Sequence, residues 1–315
     1  MTCNYIRANY RKSEIQNVDI KIFEKVSGNI KYNEPMSAHT TFRIGGAADV
    51  FADVSSAEEI RALIDICREN GYPYMVVGNG SNLLVGDKGI RGLVIHVGKN
   101  MSEIRADGER VHAEAGALMS AVAAACLEHE LTGFEPMSGI PGTIGGGIFM
   151  NAGAYGGELS QVIETVTYLD GNGEIVTEKC ENLDLGYRHS MFQSGDYVIL
   201  SCVMKFDKGN KDEIKAAMAD YRSRRNEKQP VNMPSAGSTF KRPEGYFAGK
   251  LIQDAGLQGY QIGGAQVSTL HAGFVVNTGE ASAADVENLI KHIQKTVYEK
   301  FGVELEPEIR LVGER

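Results

Sequence analysis

From Gly133 to Gly157 the chain reads GFEPMSGIPGTIGGGIFMNAGAYGG, with Gly139, Gly142, Gly145, Gly146 and Gly147 inside nine residues. Two prolines interrupt the stretch and charge is nearly absent from it. Such a run is expected to be irregular rather than helical, yet it is too apolar for a disordered linker. Glycine is favoured where a backbone takes φ > 0 or where another group comes very close. The run therefore predicts a loop whose bare amides make the contact, and amides presented this way hold phosphates and pyrophosphates. A glycine-rich packing turn is the plain alternative for a lone run.

The bulk properties narrow the class. A chain of 315 residues suffices for two or three domains. Its 43% hydrophobic content permits a sizeable core. A formal net charge of −9 argues against a dedicated nucleic-acid binder but allows a local basic pocket. The five cysteines, Cys3, Cys67, Cys126, Cys180 and Cys202, are far apart in sequence. They lack metal-ligand spacing, so no metal site is expected and free thiols in a reducing compartment are. The N-terminus has no apolar signal segment, and no apolar run is long enough to cross a bilayer. A cytoplasmic monomer is expected, with no membrane insertion and no nucleic-acid partner.

Periodicity predicts a helix over about 10–27 and a strand over Ala48–Val54. A helix opens at Ser55–Ser56, with Glu58 and Glu59 three residues on, and ends at Gly71. Strands follow at Tyr74–Val77 and Leu93–Val97, making a β-α-β unit. A helix is expected near Leu118–Glu128. Asp170-Gly171-Asn172-Gly173 marks a hairpin, and Tyr197–Phe206 reads as a buried strand. Helices over Asp212–Lys228 and Ala284–Phe301 frame a break at Pro230 and Pro234, and a last strand spans Val303–Val312. Alternation followed by hairpins makes the class α+β with mixed sheets.

Further segments carry chemistry. VVGNGSNLLV lacks the third glycine and the helix of a dinucleotide fingerprint. It still offers a nest of amides from Gly78 through Asn79, Gly80 and Ser81 to Asn82, or a tight β-turn. TTFRIGG adds hydroxyls and Arg43. Three glycine-plus-donor loops together point to one extended, phosphate-bearing ligand across two lobes. YRHSMF presents Arg188, whose guanidinium suits carboxylates and phosphates, and AGSTFKRP presents Ser238. Glu304, Glu306 and Glu308 alternate, so a strand there would set three carboxylates on one face. His39, His112 and His189 read as packing or surface groups, while His271 lies among small residues in VSTLHAGFVVN.

TTFRIGG, VVGNGSNLLV, SGIPGTIGGGIFMNAGAYG, YRHSMF, AGSTFKRP, AGLQGYQIGGAQVSTLHAGFVVN and LEPEIRLVG together resemble the UDP-N-acetylenolpyruvoylglucosamine reductases, in family order over roughly residues 30–313. The resemblance implies an FAD-binding fold of the vanillyl-alcohol-oxidase type in two lobes, 1–98 and 99–222. The tail 309–315 returns to the first, and a third α+β substrate domain spans 223–308. It implies non-covalent FAD, NADPH as co-substrate and UDP-N-acetylglucosamine enolpyruvate as substrate. The flavin would be held by Arg43, by Gly78 to Asn82, by Gly139, Gly142, Thr143, Gly145 and Gly146, and by Asn151, Ala152 and Gly153. The reactive residues would be Arg188, Ser238 and Glu308, with Glu306 helping to raise the Glu308 pKa. Tyr187, Lys241, Arg242, Arg225 and His271 are candidates for substrate contact, and Arg242 stands where some members carry asparagine. The short path from Ala255 to Gly264 is similar to the subtype without an extra tyrosine loop. A flavin oxidase with covalent cofactor, and a module that has lost catalysis, are the competing classes. The intact trio counts against the second.

Overall fold

The structure is a computed structural model that describes residues 19–315. The first half of the expected helix over 10–27, residues 10–18, lies outside these residues. Its described end is a 3-10 turn, Ile20–Lys25, capped by Asp19.

The first lobe is a mixed four-stranded sheet in the order Ile30–Pro35, Ala47–Asp53, Ile90–His96, Tyr74–Val77. The last three run parallel and the first is antiparallel to its neighbour. Parallel strands need a crossover, and α1 (Ala57–Glu69) supplies it. Ser56 caps α1 by accepting from the Glu59 amide, and Ile60, Leu63, Ile64 and Cys67 bury its inner stripe. Each such aliphatic side chain contributes about 1.5–3 kcal/mol when fully buried. Cys67, Cys126 and Cys202 are buried and Cys180 is half-buried, all as free thiols. Burial pushes Cys67 and Cys126 up to about 12, so both are inert. Cys3 lies outside the described residues.

The second lobe is an antiparallel sheet in the order Ile175–Lys179, Ile163–Leu169, Val198–Lys205, Arg110–Glu114, Ile104–Asp107. The Asp170 carboxylate closes the hairpin by accepting from the Asn172 and Glu174 amides, and Gly173 takes φ 79°. Three helices pack here: α2 (Met119–Glu128), α3 (Ile144–Phe149) and α4 (Lys211–Lys228). The expected irregular glycine run thus contains a helix, α3. A helical glycine costs about 1 kcal/mol against alanine. Close packing explains its use: a Cβ on Gly145 would lie 2.9 Å from the Ala115 Cβ. The expected boundary at 222/223 falls inside α4, which runs to Lys228.

The third lobe is an antiparallel sheet in the order Ser235–Ser238, Phe274–Asn277, Ala265–Val267, Gln261–Ile262. Helices α5 (Ala248–Asp254) and α6 (Ala283–Phe301) cover it. Val286, Leu289, Ile290, Ile293 and Val297 form the buried stripe of α6. Its first turn is held from the first lobe, where Asp87 accepts from the Ala283 and Ala284 amides at 2.7 and 3.0 Å. The core of this lobe takes in Phe42, Ile44 and Leu84 from the first.

After α6 only Arg310–Val312 is strand, parallel to Leu83–Val85. The expected strand over Val303–Val312 is therefore mostly an extended crossing, interrupted by Pro307, which bridges Phe240. Glu304 and Glu306 stay exposed while Glu308 turns inward. The three carboxylates do not share a strand face. Among the described residues no helix is long and apolar enough to cross a membrane.

Candidate active site

Two glycine loops meet at the junction of the lobes. In the loop after Tyr74–Val77, Gly80 takes φ 59° and lies against the His39 carbonyl, where a Cβ has no room. A Cβ on Gly78 would strike the Thr143 hydroxyl that caps α3. The Asn79 side-chain amide donates to the Pro141 carbonyl at 2.5 Å, tying one loop to the other. Between them opens a cleft of about 1930 Å³. Ordinary ligand pockets reach about 1,000 Å³, so this cleft is large enough for an extended dinucleotide. Bare backbone at Gly142 and Gly146 lines it, with room beside each for a close-lying group. Arg43, at φ 55°, lines it from the TTFRIGG turn. This donor set fits a flavin dinucleotide: amides and one arginine for a pyrophosphate, and Met75, Met119 and Ile140 as apolar wall.

Arg188, Ser238 and Glu308 line the same cleft from three separate segments. Arg188 occupies a tight turn whose ends, Gly186 and His189, exchange two backbone hydrogen bonds at 3.1 Å. It takes φ 54°, a region glycine normally fills. Its Nε donates to Glu308 Oε1 at 2.6 Å and an Nη donates to the Gly153 carbonyl. Glu308 is anchored by its backbone: its amide donates to Thr239, and Asn82 Nδ2 donates to its carbonyl at 3.1 Å. Burial raises the Glu308 pKa, against the opposing pull of Arg188 and Lys241. Glu306 is not the cause. It is exposed and paired with Lys241 at 2.7 Å, so the expected like-charge contribution falls away. Ser238 follows a bulge in its strand, with Gly237 at φ 79°, and bulges beside sites re-aim side chains.

The other expected residues divide. Ala152 and Gly153 line the cleft, as does Arg225 from α4. Arg225 packs its stem against Gly139, forms no ion pair among the described residues, and burial lowers its pKa. Asn151 does not line the cleft. It is fully buried and holds the Ser160 amide and the Gly186 carbonyl, so it shapes the loops rather than touching a ligand. Tyr187, Lys241, Arg242 and His271 also stand off the cleft lining. Tyr187 is 53% exposed, and its hydroxyl accepts from the Arg242 amide. The Arg242 guanidinium stacks on Phe247 at 4.0 Å. His271 Nδ1 accepts from the Gly273 amide, and burial lowers its pKa. Two further lining residues were not singled out from the sequence: Gln193, and Arg310 within LEPEIRLVG, which bond to each other at 2.9 Å.

A family model described as UDP-N-acetylenolpyruvoylglucosamine reductase, C-terminal domain, matches residues 229–312. The reductase of that name from Caldanaerobacter subterraneus is 52% identical over 288 residues, 91% of this chain and 95% of its own. The chain belongs to the UDP-N-acetylenolpyruvoylglucosamine reductase family. Its relative from Agathobacter rectalis is 53% identical over 294 residues, covering 90% of this chain and 93% of that one. The crystal structure of the Thermus caldophilus reductase superposes with a TM-score of 0.77 at 33% identity, over 90% of this chain and 98% of that one. A model described as FAD binding domain matches residues 48–178 and contains both glycine loops. The C-terminal reductase model starts at residue 229, where α4 ends, and contains Ser238 and Glu308. Arg188 lies between the two matched stretches, after residue 178 and before residue 229.

Proposed function

We propose that the chain reduces UDP-N-acetylglucosamine enolpyruvate to UDP-N-acetylmuramate in peptidoglycan precursor synthesis. NADPH is the donor and FAD is held without a covalent link. The observation that carries this reading is the Arg188–Glu308 contact of 2.6 Å, opening with Ser238 into the cleft that the glycine loops line. When bound, the flavin supplies C3 of the enolpyruvyl group with a hydride taken from NADPH. Negative charge then develops at C2 and on the adjacent carboxylate. Arg188 and a protonated Glu308 stabilise that charge. A neutral carboxyl fits the geometry: one oxygen accepts from Arg188 Nε while the other keeps its proton to donate. Such preorganised donors are worth about 10²–10³ in rate each. Ser238 gives C2 its proton, so hydride and proton together saturate the double bond. Arg225, a half-buried cation with no carboxylate partner among the described residues, suits the substrate diphosphate. Tyr187, Lys241, Arg242 and His271 serve as an outer ring that a closing substrate could reach.

The test is an anaerobic visible spectrum. The flavin band is expected to bleach with NADPH and return with the enolpyruvyl substrate. A band that bleaches and never returns removes the substrate; absence of any flavin band after incubation with FAD removes the cofactor.

A further inference from the structure

We propose that Gln193 is the positioning residue of the reactive pair: one side-chain amide fixes Arg188 and ties it to the segment that carries Glu308. The inference rests on the reading of Arg188 and Glu308 as the charge-stabilising pair. Arg188 is in the left-handed region at φ 54°. A residue with a Cβ stays there only when its surroundings hold it. Gln193 provides that hold. Its Nε2 donates to the Arg188 carbonyl at 3.1 Å and to the Phe149 carbonyl at 2.8 Å. Its Oε1 accepts from Arg310 Nη2 at 2.9 Å. Arg310 stands two residues after Glu308 and stacks on the Phe149 ring at 4.8 Å. Both ends of the amide are therefore used, the donor on Arg188 and the acceptor on the tail.

The chemistry requires a primary amide. Reversing it would set its NH₂ against the Arg310 guanidinium and its oxygen against two carbonyls. Glutamate keeps the acceptor and loses the donor, and methionine loses both. Gln193 is itself held in place. It ends a 3-10 turn, Met191–Gln193, and the preceding Ser190 hydroxyl donates to the same Phe149 carbonyl at 2.7 Å. Phe149 is the last residue of α3, where helix carbonyls have no acceptor role inside the helix, so the turn docks its donors on that carbonyl.

The test uses Gln193→Met and Gln193→Glu in the FAD-loaded enzyme. Flavin reoxidation by the enolpyruvyl substrate is expected to slow by about ten-fold or more, because small misplacements of reacting groups cost that much. Flavin reduction by NADPH should stay within roughly two-fold, since the pair is not used there. A crystal structure of the Gln193→Met variant should show the Arg188 Nε–Glu308 Oε1 contact broken. An intact contact, or equal slowing of both half-reactions, overturns the proposal. Should that variant fail to fold, Arg310→Met cuts the same link from the other side and is expected to give the same split. An even loss there overturns it equally. Glu308→Gln with normal reoxidation would sink the role of the pair, while the crystallographic contact still decides whether Gln193 positions it.

Discussion

At the residue scale, two substitutions separate the roles inside the trio. Ser238→Ala should leave flavin reduction by NADPH intact and slow reoxidation by substrate, read by stopped-flow absorbance; equal loss in both phases would exclude proton donation by Ser238. Glu308 makes a pH prediction. Burial raises its pKa above the ordinary 4.5, so its proton survives into a range where exposed carboxylates are charged. Activity that needs that proton is lost as pH rises through the raised value. The stability linkage has the same direction: the contribution is complete below 4.5 and disappears as pH rises through the folded pKa. Glu308→Gln should lower the rate by about 10²–10³ and erase the alkaline limb of the profile. A limb that survives belongs to another group. The residue types of this site were legible in the sequence, since arginine, serine and a tail glutamate suit the chemistry. The resemblance grouped them, but the direct Arg188–Glu308 contact was not legible, because the two are 120 positions apart. Gln193 was invisible for a stronger reason: a glutamine after a phenylalanine has no pattern, and its importance exists only where three backbone segments meet.

At the element scale, the cradle loop can be tested against a neutral turn. Gly80 and Gly108 have nearly the same φ, 59° and 60°. A Cβ at Gly108 meets nothing within 4 Å, whereas one at Gly80 meets the His39 carbonyl and Thr40 backbone. Gly108→Ala should cost only the left-handed penalty, about 1–2 kcal/mol. Gly80→Ala should add about 1–3 kcal/mol of overpacking and alone reduce flavin content. Thermal melts with a cofactor assay decide this, and equal effects would mean the contact relaxes freely. The sequence predicted most helices and strands to within a few residues because their stripes and caps are local, as in α1 and α6. It failed where local signals conflict with packing. The glycine run forms α3, where close neighbours at Gly145 and Gly147 leave no space for a side chain. The alternating glutamates resemble a strand face, yet they pair only through the single Phe240–Pro307 bridge and otherwise lie in an extended crossing. Alternation reports an extended backbone, and only pairing makes it a sheet.

At the scale of the whole molecule, the third lobe is gripped from the first through Asp87, far along the chain from α6. Asp87→Ala should cost about 1 kcal/mol, the usual value of a lost helix cap. Asp87 does not line the cleft, so flavin content should stay unchanged while the melting temperature falls; a drop in flavin content would place the two lobes in tighter communication than a cap provides. The Arg310–Val312 strand pairs with Leu83–Val85, so the first lobe is completed by chain that follows the third. The third lobe is thus topologically an insertion, leaving the cofactor body at Gln229 and re-entering it at Glu308, and both of these residues line the cleft. An inserted body with both seams on the cleft is a wall rather than an appendage: any shift in how it sits is felt in the cleft from two ends of the chain at once.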